Sequence, residues 1–238
     1  MCVINLIIKK QFLEIAALLQ KSEKQLGTIK DSYNQSLTKK EVSEELKVDI
    51  KNFFENLRSA LDFLAHAIHD KYVSCGRRHN IYFPVRGNFN GFRNAVRQSL
   101  HDLEAKQPQI YEIIKRTQPY YSEENIWISN FFKLCNLKKH VALTEQTKVE
   151  RHEVRVSAKG NIVGWDPNSV TYGQGVSILG SPVNPKTQMP EPHPDHKIDN
   201  IIWVGFIFDE IKEDALPFME KVLDKVKIII SNIKKEVI

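Results

Sequence analysis

The sequence predicts an α+β fold, a mainly helical bundle with a small antiparallel sheet and a C-terminal helix. Apolar residues recur every three or four positions through most of the chain up to Thr144, which is the period of an amphipathic α-helix. Beyond it, apolar and polar residues alternate over Val149–Val156, the period of a half-buried strand. Helical spacing returns over residues 216–233. Helices followed by short strands indicate the α+β class.

Two long helices are predicted at the start of the chain. The first covers Lys10–Lys30, and the polar segment Ser32–Ser36 is predicted to end it. Thr38-Lys39-Lys40-Glu41 has the form of a capping box and predicts a second helix over Lys39–Tyr72. A short turn between two long helices favours antiparallel packing, with the apolar faces buried against each other.

The remaining elements follow from turn residues and periodicity. Glycine and proline predict a loop over Cys75–Gly91, and Lys159-Gly160-Asn161 is a predicted hairpin turn. Shorter helices are predicted at Phe92–Leu103, Pro108–Arg116 and Glu123–Val141, strands at Ile162–Trp165, Gly175–Leu179 and Ile201–Phe208, and a Pro-rich loop at Ser181–Asp199.

The predicted elements divide the chain into two regions. Residues 1–144 form the helical bundle, and residues 145–238 form the sheet region with the closing helix packed on the bundle. With 238 residues, 42% of them hydrophobic, the chain is long enough for a packed core. A formal charge of +5 is compatible with a polyanionic partner without requiring one.

Three cysteines without a C-x-x-C pair indicate a reducing compartment rather than a disulfide framework. The apolar N-terminus is short and runs into Lys9-Lys10, unlike a secretory signal or a membrane span. We therefore expect a cytoplasmic protein without a membrane segment.

The most informative segment is a polar stripe on the second predicted helix. Arg58, Asp62 and His66 follow one another at (i, i+4) spacing, so each side chain can reach the next. Strongly apolar residues occupy the opposite face, including Leu57 and Leu61. Such a stripe could bind an anion, carry acid–base chemistry or face water. Arginine, aspartate and histidine are less typical of a solvated face than lysine and glutamate.

A second cluster, Asn136-Leu137-Lys138-Lys139-His140, lies near the end of a later predicted helix. Asn136 and His140 are (i, i+4) neighbours, so an amide, an ammonium and an imidazole emerge together. Lysines at a helix C-terminus also complement the helix dipole, and this structural role remains an alternative.

Four motifs in order resemble those of an uncharacterised bacterial family. They are Asn56-Leu57-Arg58-Ser59-Ala60-Leu61-Asp62, then Tyr82-Phe83-Pro84-Val85, Gln118-Pro119-Tyr120 and Asn136-x-x-Lys139-His140. The family shares N-L-R-S-A-L-D-x-L-A, F-P-I, Q-P-Y and N-x-D-K-H-R in that order, and the resemblance covers residues 45 to 145. That family is similar to the HEPN superfamily of helical-bundle domains, which bind nucleotides and cleave RNA.

The resemblance implies a metal-independent endoribonuclease, often dimeric, without a cofactor or metal ion. His66 or His140 would accept the proton of an RNA 2′-hydroxyl, Arg58 and Lys139 would stabilise the phosphorane, and Asp62 would orient Arg58 or His66. Seven residues separate Arg58 from His66, more than the superfamily spacing. The RNA contacts would come from Asn136, Lys138, Lys139, Arg77, Arg78 and Arg86. Defence and toxin roles are common in the superfamily.

Two alternatives stay open. The stripe could be a structural polar network or dimer interface of a non-catalytic interaction module, or the protein could bind a free nucleotide without cleaving it. A basic cleft joining Arg58 to Lys139 and His140 would favour RNA, whereas a stripe covered by another helix or chain would favour the interaction module.

Overall fold

The computed structural model of the chain describes residues 2–39, 42–73, 81–137 and 146–238. Helices predominate and are accompanied by small antiparallel sheets, which confirms the predicted α+β class. The chain forms two compact units. The helical unit comprises Met1–Gln146 and Phe208–Ile238, and the sheet unit comprises Thr147–Ile207.

All seven α-helices of the described residues lie in the helical unit. They are α1 (Cys2–Lys39), α2 (Glu44–Tyr72), α3 (Phe89–Ser99), α4 (Leu103–Lys106), α5 (Pro108–Arg116), α6 (Ile126–Leu137) and α7 (Ala215–Val237).

Helix α1 continues through the segment that was predicted to break it. Ser32–Ser36 is helical, so the predicted end was wrong. Tyr33 within it is 5% exposed, and its hydroxyl donates to the side chain of Gln146. Burial of this tyrosine outweighs the low helix propensity of its polar neighbours.

Helix α2 begins later than the predicted capping box. Ser43 is the N-cap residue, and its Oγ accepts a hydrogen bond of 3.2 Å from the amide of Leu46. Thr38 and Lys39 instead belong to α1, whereas Lys40 and Glu41 lie outside the described residues. The capping-box prediction was therefore wrong about where α2 starts.

The first two helices pack antiparallel, as predicted. Gln11 Nε2 donates to Asp70 Oδ2 (3.0 Å), and Asn56 Nδ2 donates to Gln25 Oε1 (2.8 Å). The start of α1 therefore lies beside the end of α2. The predicted apolar face of α2 is fully buried, since Leu57, Ala60, Leu61, Leu64, Ala67 and Ile68 are all 0% exposed. Helix α2 also contacts α6 and α7, which makes it central to the unit.

The shorter helices follow the predictions with shifted ends. Helix α5 coincides with the predicted Pro108–Arg116. Helix α3 starts earlier than predicted because the Asn88 side chain caps the amide of Gly91 at 2.8 Å. It also ends earlier, at Ser99. Asp102 has a left-handed backbone (φ +63°) that separates α3 from α4.

The sheet unit is organised around a hairpin. Strands β1 (Gln146–Ala158) and β2 (Asn161–Trp165) are antiparallel, with Val156 opposite Val163. Lys159 and Gly160 both have positive φ, +49° and +81°, as a two-residue hairpin turn requires. The predicted turn is confirmed. Val154 and Val156 of β1 and Trp165 of β2 form the buried core of the hairpin.

The other strands are β3 (Ser177–Ile178), β4 (Ser181–Pro182), β5 (Lys197–Phe208) and β6 (Glu213–Asp214). The larger sheet has the order β2-β1-β5-β6, and β3 pairs with β4. The segment Ser181–Asp199 is therefore not entirely loop, because β4 opens it and β5 begins within it.

Helix α7 belongs to the helical unit, whereas the predicted division at residue 144 grouped it with the sheet region. Its apolar face is buried, including Phe218, Val222 and Val226. Phe54 of α2 contacts both Phe208 and Phe218. Within the described ranges, no helix combines the length and apolar character needed to cross a bilayer.

Candidate functional site

A cavity of about 510 Å³ lies in the helical unit. Its walls come from α2, from the segment that precedes α3, and from α3 and α6. The described lining residues are Arg58, Tyr82, Phe83, Pro84, Val85, Arg86, Gly87, Ala95, Gln98, Ser99, Ser129, Phe132, Lys133 and Asn136.

Arg58 is held on two sides within this cavity. Its Nε donates to Asp62 Oδ2 at 3.3 Å, the expected contact between (i, i+4) neighbours on α2. Its guanidinium carbon lies 3.7 Å from the centroid of the Phe132 ring, a cation–π contact. The side chain is 16% exposed. Its Nη1 is buried and has no hydrogen-bond partner in the described structure.

Asp62 joins α2 to the segment before α3. While Oδ2 accepts from Arg58, Oδ1 accepts a hydrogen bond of 2.9 Å from the backbone amide of Phe83. The side chain is 20% exposed, so this carboxylate is not on a solvated face. It therefore fixes the position of the arginine and of the chain opposite it.

Gln118 holds the same segment from the other side. Its side chain is fully buried at the turn after α5. Oε1 accepts from the amide of Arg86 at 3.0 Å, and Nε2 donates to the carbonyl oxygens of Pro84 (2.8 Å) and Ile114 (3.1 Å). One carboxamide thus satisfies the backbone on both sides of Val85, which explains the role of the glutamine in the third motif.

Tyr120 completes this turn by packing. Its ring contacts Phe89 and Phe92, and burial raises the pKa of its hydroxyl to about 12. That hydroxyl is buried and has no hydrogen-bond partner within the described ranges. Tyr120 therefore packs in an aromatic cluster with Phe89 and Phe92 and stabilises the turn.

Helix α6 presents one face to the cavity. Ser129, Phe132, Lys133 and Asn136 occupy positions i, i+3, i+4 and i+7, so they lie on the same side of the helix. Lys133 Nζ donates to the carbonyl oxygen of Glu210 at 2.6 Å. Asn136, the first residue of the fourth motif, is exposed and lines the cavity.

The cavity is cationic. Arg58, Arg86 and Lys133 line it, and none of its described lining residues is acidic. Asp62 is beside the cavity and offsets one of these charges. Described residues of three motifs line the cavity, namely Arg58, Tyr82 to Val85 and Asn136, and Gln118 of the third motif holds its wall.

The structure does not bring His66 into this site. His66 is half-buried and is not among the described residues that line the cavity. It follows Arg58 by eight residues, which corresponds to about 12 Å along a helix and a rotation of about 80°. His69, the next histidine on α2, is buried, and its Nδ1 lies 3.4 Å from Asp70 Oδ1.

The other predicted site residues divide into two groups. Arg86 and Asn136 line the cavity as described. Arg77, Arg78, Lys138, Lys139 and His140 lie outside the described residues.

Several cavity residues were not predicted from the sequence. Phe132, Lys133 and Ser129 precede the fourth motif on the same predicted helix, and their spacing to Asn136 would have placed them on its face. Gln98 and Ser99 carry no such pattern, because only the packing of α3 brings them to the cavity.

Comparison of the chain with protein-family models, with curated proteins and with solved structures yields no match in any of the three. The functional argument therefore depends on the residues and geometry of the cavity.

Proposed function

We propose that this chain is a HEPN-like RNA-binding protein whose cavity receives a phosphate group of the RNA. The observation that carries the proposal is the state of the Arg58 guanidinium. Its Nη1 is buried and has no hydrogen-bond partner among the described residues. Arg58 lines a cavity that has three cationic residues and no carboxylate among its described lining.

The unpaired Nη1 of the Arg58 guanidinium is evidence for an anionic ligand in the cavity. A buried donor without an acceptor costs about 1–3 kcal/mol, a cost that natural proteins rarely leave uncompensated. Asp62 and Phe132 fix the guanidinium plane without using Nη1. An arginine held in this way has a fixed guanidinium plane, the geometry that suits hydrogen bonds to phosphate oxygens.

The size and polarity of the cavity favour a nucleotide unit over a bare inorganic ion. Its volume of about 510 Å³ is within the range of small-molecule sites, roughly 300–1,000 Å³. Asn136, Gln98 and Ser129 add neutral donors and acceptors, which suit sugar hydroxyls and base edges.

The more specific part of this proposal is that the protein cleaves the RNA it binds. A neutral imidazole would take the proton of the 2′-hydroxyl, and the 2′-oxygen would attack phosphorus. The bond between phosphorus and the 5′-oxygen would then break as the imidazolium returns a proton to that oxygen. Arg58 would stabilise the charge on the phosphorane. Because His66 does not line the cavity, His140, four residues after Asn136, is the better candidate for the base.

The binding test uses a fluorescent single-stranded RNA titrated at several salt concentrations. We expect affinity to fall as salt rises, and Arg58→Ala to weaken binding about 10-fold while making the log–log slope shallower by about 0.7, the share of one phosphate contact. Arg97→Ala is the matched control, since this exposed arginine on α3 does not line the cavity. No RNA binding at low salt, or equal effects of the two variants, would overturn the proposal.

The same preparations distinguish binding from cleavage. With EDTA present, we expect products with 5′-hydroxyl and 2′,3′-cyclic phosphate ends, and no cleavage of DNA. Arg58→Ala and His140→Ala should abolish cleavage, whereas His66→Ala should retain it. RNA binding without cleavage would leave the proposed RNA binding in place and overturn the proposed cleavage.

A further inference from the structure

Tyr82 is an exposed aromatic residue at the cavity. Its side chain is 53% exposed, whereas its neighbours Ile81 and Phe83 are 2% and 1% exposed. Tyr82 lines the same cavity as Arg58. Two buried neighbours thus anchor the chain where an aromatic ring remains accessible beside a cationic cavity.

The backbone around Tyr82 is held in place by side chains of other elements. The amide of Phe83 donates to Asp62, and Gln118 bonds the carbonyl of Pro84 and the amide of Arg86. The ring is therefore presented by a fixed segment, and a ligand that uses it has little backbone ordering to overcome.

We propose that Tyr82 is the stacking platform for an unpaired nucleobase of the RNA whose phosphate contacts Arg58. This inference rests on the proposed function and deepens it, because it specifies single-stranded RNA. A base can lie on a tyrosine ring only after it leaves the stack of a duplex.

Phe83 and Phe132, the other aromatic residues of the described cavity lining, are not available for this role. Phe83 is 1% exposed. Phe132 is 8% exposed, and the Arg58 guanidinium already covers one face of its ring at 3.7 Å. Tyr82 is the aromatic residue of the described lining that offers an open surface. The cavity thus combines a cation for phosphate, an aromatic face for a base, and the Asn136 and Gln98 amides for polar edges.

Calorimetric titration of the full chain with 5′-AMP and with ribose 5-phosphate separates the two contacts. We expect Tyr82→Leu to weaken AMP binding about 10-fold, the effect of losing one base–aromatic stack, and to leave ribose 5-phosphate binding unchanged. Tyr82→Phe should retain AMP binding because it keeps the ring. Tyr121→Leu is the matched control, since Tyr121 is similarly exposed (49%) but does not line the cavity.

A second measurement compares single-stranded RNA with a blunt duplex of the same sequence. The wild-type chain should prefer the single strand, and Tyr82→Leu should lose that preference. If AMP and RNA bind in an Arg58-dependent manner but Tyr82→Leu behaves as Tyr121→Leu does, the stacking inference is overturned alone. If AMP, ribose 5-phosphate and RNA all fail to bind, the proposed function fails with it.

Discussion

Removing the carboxylate of Asp62 should destabilise the helical unit and release Arg58. In Asp62→Ala, the amide of Phe83 loses its acceptor at 2.9 Å, and Arg58 loses its counter-ion at 3.3 Å. Both groups lie in the wall of the cavity, so the effect should reach both stability and ligand binding.

The magnitude follows from the burial of the two contacts. Loss of a hydrogen bond to a charged acceptor costs about 1.5–3 kcal/mol. Breaking a fully buried ion pair costs about 3–5 kcal/mol and an exposed one less than about 1 kcal/mol. With the two side chains 16% and 20% exposed, an intermediate value applies. We expect a total loss of about 3–4 kcal/mol, or roughly 10 °C in Tm for a chain of this size.

The assay is thermal and urea unfolding followed by circular dichroism at 222 nm, which reports on the helical unit because the described α-helices lie there. Asp62→Asn keeps an acceptor for Phe83 and loses only the charge, so it should cost about half as much. Glu55→Ala is the control on the same helix. The Glu55–Lys51 pair is long (3.8 Å), and its side chains are 44% and 34% exposed, so it should be worth less than about 0.5 kcal/mol. An Asp62→Ala midpoint equal to that of Glu55→Ala would refute the reasoning.

Two further predictions concern the turn after α5. Gln118→Ala should lower the free energy of unfolding by about 2–4 kcal/mol and weaken AMP binding, since it leaves the carbonyl of Pro84 and the amide of Arg86 unpaired. A urea midpoint equal to that of the wild type would contradict this prediction. Burial raises the pKa of Tyr120 from 10.0 to about 12. Its ionisation therefore favours the unfolded state from pH 10 upward, and stability should fall as pH rises toward 12. Tyr120→Phe should reduce this alkaline loss and leave neutral-pH stability unchanged, because the hydroxyl has no hydrogen bond in the described structure. An alkaline loss equal to that of the control Tyr121→Phe would contradict the argument.

Local patterns predicted which segments are helices but not where each helix ends. Helix α5 was predicted to the residue because Pro108 suits a first helical position. The end of α1 was missed because the burial of Tyr33 and its bond to Gln146 depend on residues far away in the chain. The start of α2 was missed because two plausible caps lie close together, and Ser43 is the one used.

By itself, the sequence determined the class of fold, the buried face of α2, the hairpin turn and the contact between Arg58 and Asp62. These features depend on neighbours within a turn or two, so periodicity and spacing report them directly. Tertiary structure alone decided which polar side chains share a cavity. His66 is on the same predicted stripe as Arg58, yet only Arg58 lines the cavity, because its walls come from separate segments held by Asp62 and Gln118. Contacts between residues 62 and 83, and between 86 and 118, arise from packing of distant segments, which no local period encodes.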